Sequence, residues 1–214
     1  MQNNTLLKSL VVSAALSLGL TGFAQAQPAE AAPSLTSDGQ GLLGQNYASL
    51  TYSYVNFDGI SAHGDTYSLS FNTPLRAGLD GLLGYDYSQS GEILGSRYKE
   101  HALGAGLRAF SNSFNWAKPY VEAGAGFVWQ KYGSFEDDSF FWQVSAGAEF
   151  QLAAALTLTP YVQYLDAPDL SDDGVVNFGA KANYWVNSEW AVTVGLSRDD
   201  DKNMTYTLGT NFRF

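Results

Sequence analysis

The sequence predicts an all-β chain: an antiparallel up-and-down transmembrane β-barrel of ten strands, with eight as the alternative count. Three observations predict it. Ten segments of alternating polarity follow one another with no helix-length apolar run between them. Their apolar face carries aliphatic residues at the segment centres and aromatic residues at the ends. Charged residues make up only 15% while aromatics reach 14% and Gly numbers 22. Soluble domains carry roughly 25% charge, so a large part of this surface is built to meet something other than water.

Composition also excludes several classes. With no Cys there is no disulfide framework and no Cys-based metal site. Eleven Lys+Arg against 21 Asp+Glu give a net charge of −10, which is the wrong sign for a nucleic-acid binder. A hydrophobic content of 45% disfavours disorder.

The first 26 residues read as a secretion signal. Lys8 is the only charge before Glu30, and Leu10 to Leu20 is apolar apart from Ser and Gly. Ala24-Gln25-Ala26 then forms a small-x-small cleavage site. The run is too short for the roughly 20 residues of a spanning helix. A mature chain that crosses a membrane must therefore cross it with strands. Residues 27–45, with Pro28, Pro33, Gly39, Gly41 and Gly44 and no periodicity, read as a flexible periplasmic segment. The barrel occupies 46–214.

The ten segments are 47–57, 66–72, 79–88, 98–110, 117–132, 140–150, 156–165, 175–186, 190–198 and 203–214. One parity collects apolar residues, as in Leu103, Ala105, Leu107 and Ala109, or Trp190, Val192, Val194 and Leu196. The other holds Ser, Thr, Gly and the occasional charge, as in Thr66, Ser68, Ser70 and Gly104, Gly106, Arg108. Tyr85, Tyr87, Trp129, Phe140, Trp142 and Tyr164 fall at one end of the strands. Phe71, Phe150, Tyr184, Trp190, Phe212 and Phe214 fall at the other. Paired aromatic girdles suit the two interfaces of a bilayer, and a soluble core has no reason to sort its rings this way. The Gly-rich parity suits a narrow lumen. Pro119 and Pro160 lie near strand starts, where a lost N–H donor does least harm.

Connections alternate. The short ones are 73–78, 111–116, 151–155 and 187–189, and those at the opposite end are 58–65, 88–97, 133–139, 166–174 and 199–202. An even strand number returns both ends of the barrel to the side of the short turns.

The chain resembles the small bacterial outer-membrane β-barrel proteins of the OmpA-barrel, OmpX and porin-family kind over residues 46–214. The most specific part is the C-terminus, Thr207-Leu208-Gly209-Thr210-Asn211-Phe212-Arg213-Phe214. Gly209, Phe212 and Phe214 look like the assembly signal of that group. The resemblance implies the outer membrane of a Gram-negative bacterium, with both barrel termini periplasmic. It also implies contact with membrane lipid and lipopolysaccharide, and insertion by the barrel-assembly machinery. Ten strands depart from the commonest small size, which is eight.

Function is less legible. The leading expectation is a structural or surface-interaction barrel with acidic outer loops and a largely occluded lumen. Asp80, Arg108, Lys118, Glu122, Glu149 and Arg213 share the inward parity toward the periplasmic end. Mixed charges at one level can pair and close the passage, or can be ordinary wet lumen residues. The alternative function is a narrow porin-like channel for small solutes or ions, favoured by the Gly-rich face and by inward Asp86, Glu100 and Lys181. An enzyme is not expected. Only His63 and His101 are present, and a catalytic His needs a nucleophile or acid in hydrogen-bond reach. No cofactor is expected.

The outer connections carry Glu136, Asp137, Asp138, Asp172, Asp173, Asp199, Asp200 and Asp201. These are candidate ligands of a weak, composite divalent-cation site, since Ca²⁺ takes carboxylates in flexible geometry. A solvated acidic rim is the plainer reading of the same residues.

Overall fold

The computed structural model describes residues 41–214 apart from Ile60, Leu94, Gly95, Asn115, Ser171 and Asp172. The expected signal peptide, residues 1–26, and residues 27–40 of the segment after it lie outside the described residues. The strands are β1 Tyr47–Asn56, β2 His63–Arg76, β3 Leu79–Ile93, β4 Ser96–Phe110, β5 Ala117–Tyr132, β6 Phe135–Ala153, β7 Leu156–Asp166, β8 Val175–Trp185, β9 Trp190–Asp199 and β10 Met204–Arg213. Each pairs antiparallel with its neighbours in sequence, and β1 pairs with β10 to close the barrel. Each of the ten predicted segments is a strand, and the eight-stranded alternative falls away.

The strands differ from expectation at the rim far from the termini. There β2 begins at His63, β3 runs to Ile93 and β6 begins at Phe135. The expected loops 88–97 and 133–139 are therefore mostly strand, with β5 turning into β6 through Gly133 at φ +63°. The reason is solvent. Beyond the apolar belt both faces of a hairpin meet water, so the backbone ladder continues while the alternation that marks it in the sequence stops.

Inside and outside are inverted relative to a soluble barrel. Leu50, Leu103, Leu107, Val121, Val194 and Leu208 point outward and are exposed. Thr66, Ser68, Asn72, Gln143, Asn177, Asn183, Thr193 and Asn211 point inward and are buried. That arrangement suits a hydrocarbon surround and a polar interior. The aromatic ends form contacts between strands: Trp142 with Tyr164 at 5.2 Å toward the far rim, Trp190 with Phe212 at 4.7 Å at the terminal rim.

Close approach explains individual glycines. A Cβ on Gly126 would collide with the Leu103 carbonyl oxygen and lie 2.8 Å from the Phe141 ring. Its absence lets that ring lie against the wall.

The interior is not polar throughout. Leu82, Ala102, Val128, Phe141 and Leu165 form an inward apolar cluster with Ala167 from the β7–β8 connection. Val55, Phe57 and Tyr98 form a second. Leu170, also from that connection, packs against both. β1, which carries Val55, and β4, which carries Tyr98, are separated in the wall by β2 and β3. Their contact therefore reaches across the lumen.

Candidate functional site

The lumen is the candidate site, and strand register builds it. Asp80 lies opposite Arg108, Arg108 opposite Glu122, and Lys118 opposite Glu149. Residues directly opposite on one face are within reach of one another, so opposite charges at those positions attract.

The six predicted lumen charges do not form one mutual network. The Arg108 guanidinium grips Glu122 through Nη2 at 2.8 Å and Nε at 2.9 Å. Its Nη1 donates to the Tyr47 hydroxyl at 3.3 Å, and the guanidinium stands 5.4 Å from the Tyr120 ring centre. Lys118 stands 4.0 Å from Glu149. Asp80 makes no ion pair among the described residues. Its Oδ2 accepts the Gly44 N–H at 3.0 Å, while its buried Oδ1 has no hydrogen-bond partner there. Arg213 donates to the Gly41 carbonyl at 2.8 Å and lies over the Trp185 ring at 4.1 Å.

The partners of Asp80 and Arg213 identify an element that the sequence did not suggest. Residues 41–45, the end of the segment read as flexible, are hydrogen-bonded into the barrel. Leu42 N–H donates to Glu149 at 2.8 Å, Lys118 donates to the Leu43 carbonyl at 3.4 Å, and Asn72 donates to the Gln45 carbonyl at 2.7 Å. Leu43 is buried.

Beyond this layer lies a cavity of about 140 Å³. Ser70, Tyr120, Thr159, Tyr161, Gln163 and Lys181 line it, with Leu42 and Leu43 among its bounding residues. It has room for on the order of ten waters. The Lys181 ammonium stands 5.7 Å from the Tyr161 ring centre. On the β7–β10 side the wall is knit by amides and hydroxyls: Thr193 donates to Asn183 at 2.6 Å, and Asn211 donates to Thr193 at 2.6 Å and to Asn183 at 3.1 Å. Gln163 donates to Gln143 at 2.8 Å. The apolar clusters lie toward the far rim.

Among the described residues the acidic side chains of the far rim lie on separate elements. Glu136, Asp137 and Asp138 lie on β6 in ladder with Lys131, Gln130 and Trp129. Glu136 forms an ion pair with Lys131, which holds its carboxyl below the ordinary glutamate range. Asp199 is committed to Asn203, accepting its backbone N–H and its side-chain N–H₂, each at 2.8 Å. Asp200 and Asp201 lie in the turn after it, and Asp172 is outside the described residues. Among the described residues no three acidic side chains are placed to hold one ion.

The histidines have aromatic neighbours. His63 stacks on Tyr54 at 5.4 Å. His101 faces outward, with Nδ1 2.7 Å from the Tyr85 hydroxyl. At the seam, Gly209 faces Thr51 and Phe212 faces Ala48. A Cβ on Gly209 would meet the Leu50 carbonyl at 2.6 Å, so glycine is what lets first and last strands close. Phe214 N–H donates to the Asn46 carbonyl at 3.2 Å.

Sequence reasoning missed the interior apolar residues and residues 41–45. A signal for the first existed. In Leu82-Leu83 and Phe140-Phe141 two large apolar residues adjoin, so one of each pair must face inward. A signal for the second is Leu42-Leu43 between glycines in an otherwise polar stretch.

No protein-family model matches the chain, and no characterised protein matches it in sequence. Solved structures do. NanC porin superposes with a TM-score of 0.50 at 8% identity, covering 78% of this chain and 100% of that one. Neisserial surface protein A gives 0.45 at 13% identity, covering 79% and 96%. Ail, the attachment invasion locus protein of Yersinia pestis, gives 0.40 at 15%, covering 79% and 97%. At such identities the likeness is one of fold: the structural neighbours of this closed ten-stranded chain are small outer-membrane β-barrels.

Proposed function

We propose that this chain is a small outer-membrane barrel of a Gram-negative bacterium with an occluded lumen and a structural or surface-interaction role. The observation that supports the reading is material lying inside the lumen at two levels. The Leu170-bridged apolar clusters stand inside the lumen toward the far rim, and residues 41–45 are hydrogen-bonded inside it at the terminal rim. A barrel built for steady flow would not spend buried Phe141, Tyr98 and Leu165 inside its own passage. The exposed apolar belt supports contact with membrane lipid. Removal of residues 1–26, a periplasmic terminal rim, an acidic outward rim beside lipopolysaccharide, and recognition of Gly209, Phe212 and Phe214 by the assembly machinery belong to the same proposal.

The second reading is a narrow channel, favoured by the polar cavity with Arg108 and Lys181 on its wall. Likeness to a porin at 8% identity speaks for fold and does not choose between the two. Planar-bilayer recording of the refolded barrel does. The occluded reading expects no stable conductance steps, and a steady porin-sized conductance would overturn it.

A further inference from the structure

Residues 41–46 are held by the barrel as a peptide ligand is held by a receptor. The contacts are made mostly to main chain, and both polarities are met. Glu149 on β6 accepts the Leu42 N–H at 2.8 Å, and Asp80 on β3 accepts the Gly44 N–H at 3.0 Å. Arg213 on β10 donates to the Gly41 carbonyl at 2.8 Å, and Lys118 on β5 donates to the Leu43 carbonyl at 3.4 Å. Asn72 on β2 donates to the Gln45 carbonyl at 2.7 Å, and Thr73 donates to Asn46 Oδ1 at 2.9 Å. Hydrogen bonds to ionised partners are the stronger kind, and here four strands contribute one each.

The segment also fits by shape. Gly41 sits where a Cβ would lie 2.5 Å from a Glu149 oxygen. Gly44 has φ +78°, a left-handed conformation that favours glycine, and a Cβ there would press on the Phe110 ring at 3.0 Å. Between them Leu43 is only 4% exposed. The segment leaves β1 and reaches β6, the strand diametrically opposite in the ring of ten. It turns back on itself at Leu42–Gln45, and the Glu149 side chain reaches in from β6 to meet it.

We propose that the terminal mouth is a binding site for the main chain of a turned peptide, since Gln45 N–H donates to the Leu42 carbonyl at 3.3 Å and Gly44 has positive φ. Residues 41–45 occupy it in cis as a tethered, exchangeable plug that shuts the central cavity from that side. Asn46 stays in the seam, its carbonyl accepting the Phe214 N–H at 3.2 Å, but none of the contacts of residues 41–45 belongs to a strand ladder, so those residues can leave with the barrel intact. Departure removes the Gly44 and Gly41 partners of Asp80 and Arg213, and water entering the opened mouth takes their place. Asp80, Glu122 and Glu149 balance Arg108, Lys118 and Arg213, and Lys118 already stands 4.0 Å from Glu149. The tether places the plug at the millimolar effective concentration typical of short linkers. A free peptide of the same sequence must therefore be supplied at that level to compete. The inference concerns access from one side and stands whether or not the barrel conducts.

The chain has no Cys, so one introduced thiol reports on the cavity alone. Ser70→Cys places it on the cavity wall, away from the plug contacts. Labelling of the refolded barrel by a charged methanethiosulfonate reagent is measured with residues 41–45 intact and then in the Leu43→Asp variant. The new carboxylate would replace a side chain that is only 4% exposed, and the cost of burying its charge favours departure of the plug. The expected result is labelling at least tenfold faster, with the heat-modifiable gel shift of the folded barrel retained. Deletion of 41–45 is expected to act likewise, and a synthetic Gln-Gly-Leu-Leu-Gly-Gln-Asn peptide at millimolar concentration to restore protection to the deleted barrel. Unchanged labelling in both folded variants would overturn the proposal. Failure of both variants to fold would overturn it too, because 41–45 would then be part of the fold rather than an occupant.

Discussion

Leu165 and Leu208 have the same side chain on opposite sides of the wall, which allows the interior packing to be weighed. Leu165 is 1% exposed within the inward apolar cluster, and Leu208 is 57% exposed on the outward belt. Replacing either by Ala deletes three carbons. At about 0.8 kcal/mol each, the lost transfer from water is roughly 2.4 kcal/mol at both sites. The two sites differ in how the vacated space is filled. Outside, lipid chains flow into the space left by Leu208. Inside, Phe141, Leu82 and Val128 are anchored to strands and close it only in part. Unfilled space adds to the cost, and buried Leu→Ala changes reach about 5 kcal/mol. Leu165→Ala should therefore cost about 3–5 kcal/mol and Leu208→Ala about 2.4, a gap of roughly 1–3 kcal/mol set by the cavity. Reversible urea titration of folding into lipid vesicles, monitored by Trp fluorescence, measures both. Equal costs, or a larger cost at Leu208, would refute a packed interior and with it the reading of occlusion.

The same structure sets three further outcomes. Deleting Phe214 removes the ring against Phe212 and the hydrogen bond to Asn46, so membrane-inserted, heat-modifiable protein should fall sharply, and normal levels on a gel would refute this. Arg108→Ala leaves Glu122 buried without its 2.8 Å partner and should cost about 3–5 kcal/mol in urea titration, most of it recovered in the double variant with Glu122→Ala. At the far rim the acid titration of Glu136, monitored by carboxyl NMR, should lie below the ordinary glutamate range and return upward in Lys131→Ala. Both groups are exposed, so stability should not change measurably.

Which parts were legible depends on what forces the sequence to repeat itself. Between the aromatic girdles one face meets an apolar surround and the other a polar lumen. Ser68-Leu69-Ser70-Phe71 must then alternate, and the ten strands can be read off. Past the girdles water meets both faces. Lys131 opposite Glu136 keeps the ladder but leaves no period, so two hairpins read as loops. The inward parity of the lumen charges was legible for the same reason, whereas their partners were not. Periodicity places Asp80 opposite Arg108, yet Asp80 binds Gly44, 36 residues away, which no local pattern reveals. Phe141 and Leu165 were hidden because one apolar residue on the polar parity resembles noise until Leu170, arriving from a loop, gives it company.

The seam between β1 and β10 has a consequence for how the chain could be rearranged. Tyr47 lies in register with Arg213, so the two ends of the barrel are neighbours in space. A short linker could join them, and the tight turn at Ala77-Gly78 could be opened to make new ends. Such a circular permutant would keep every strand pair except the one covalent turn it exchanged. It would also begin and end within the β2–β3 hairpin, so the wall would close by a different last step. The leader of the natural chain, Gly41 to Asn46, would become the interior linker. The order in which the wall is completed and the identity of the segment held in its mouth could then be varied independently.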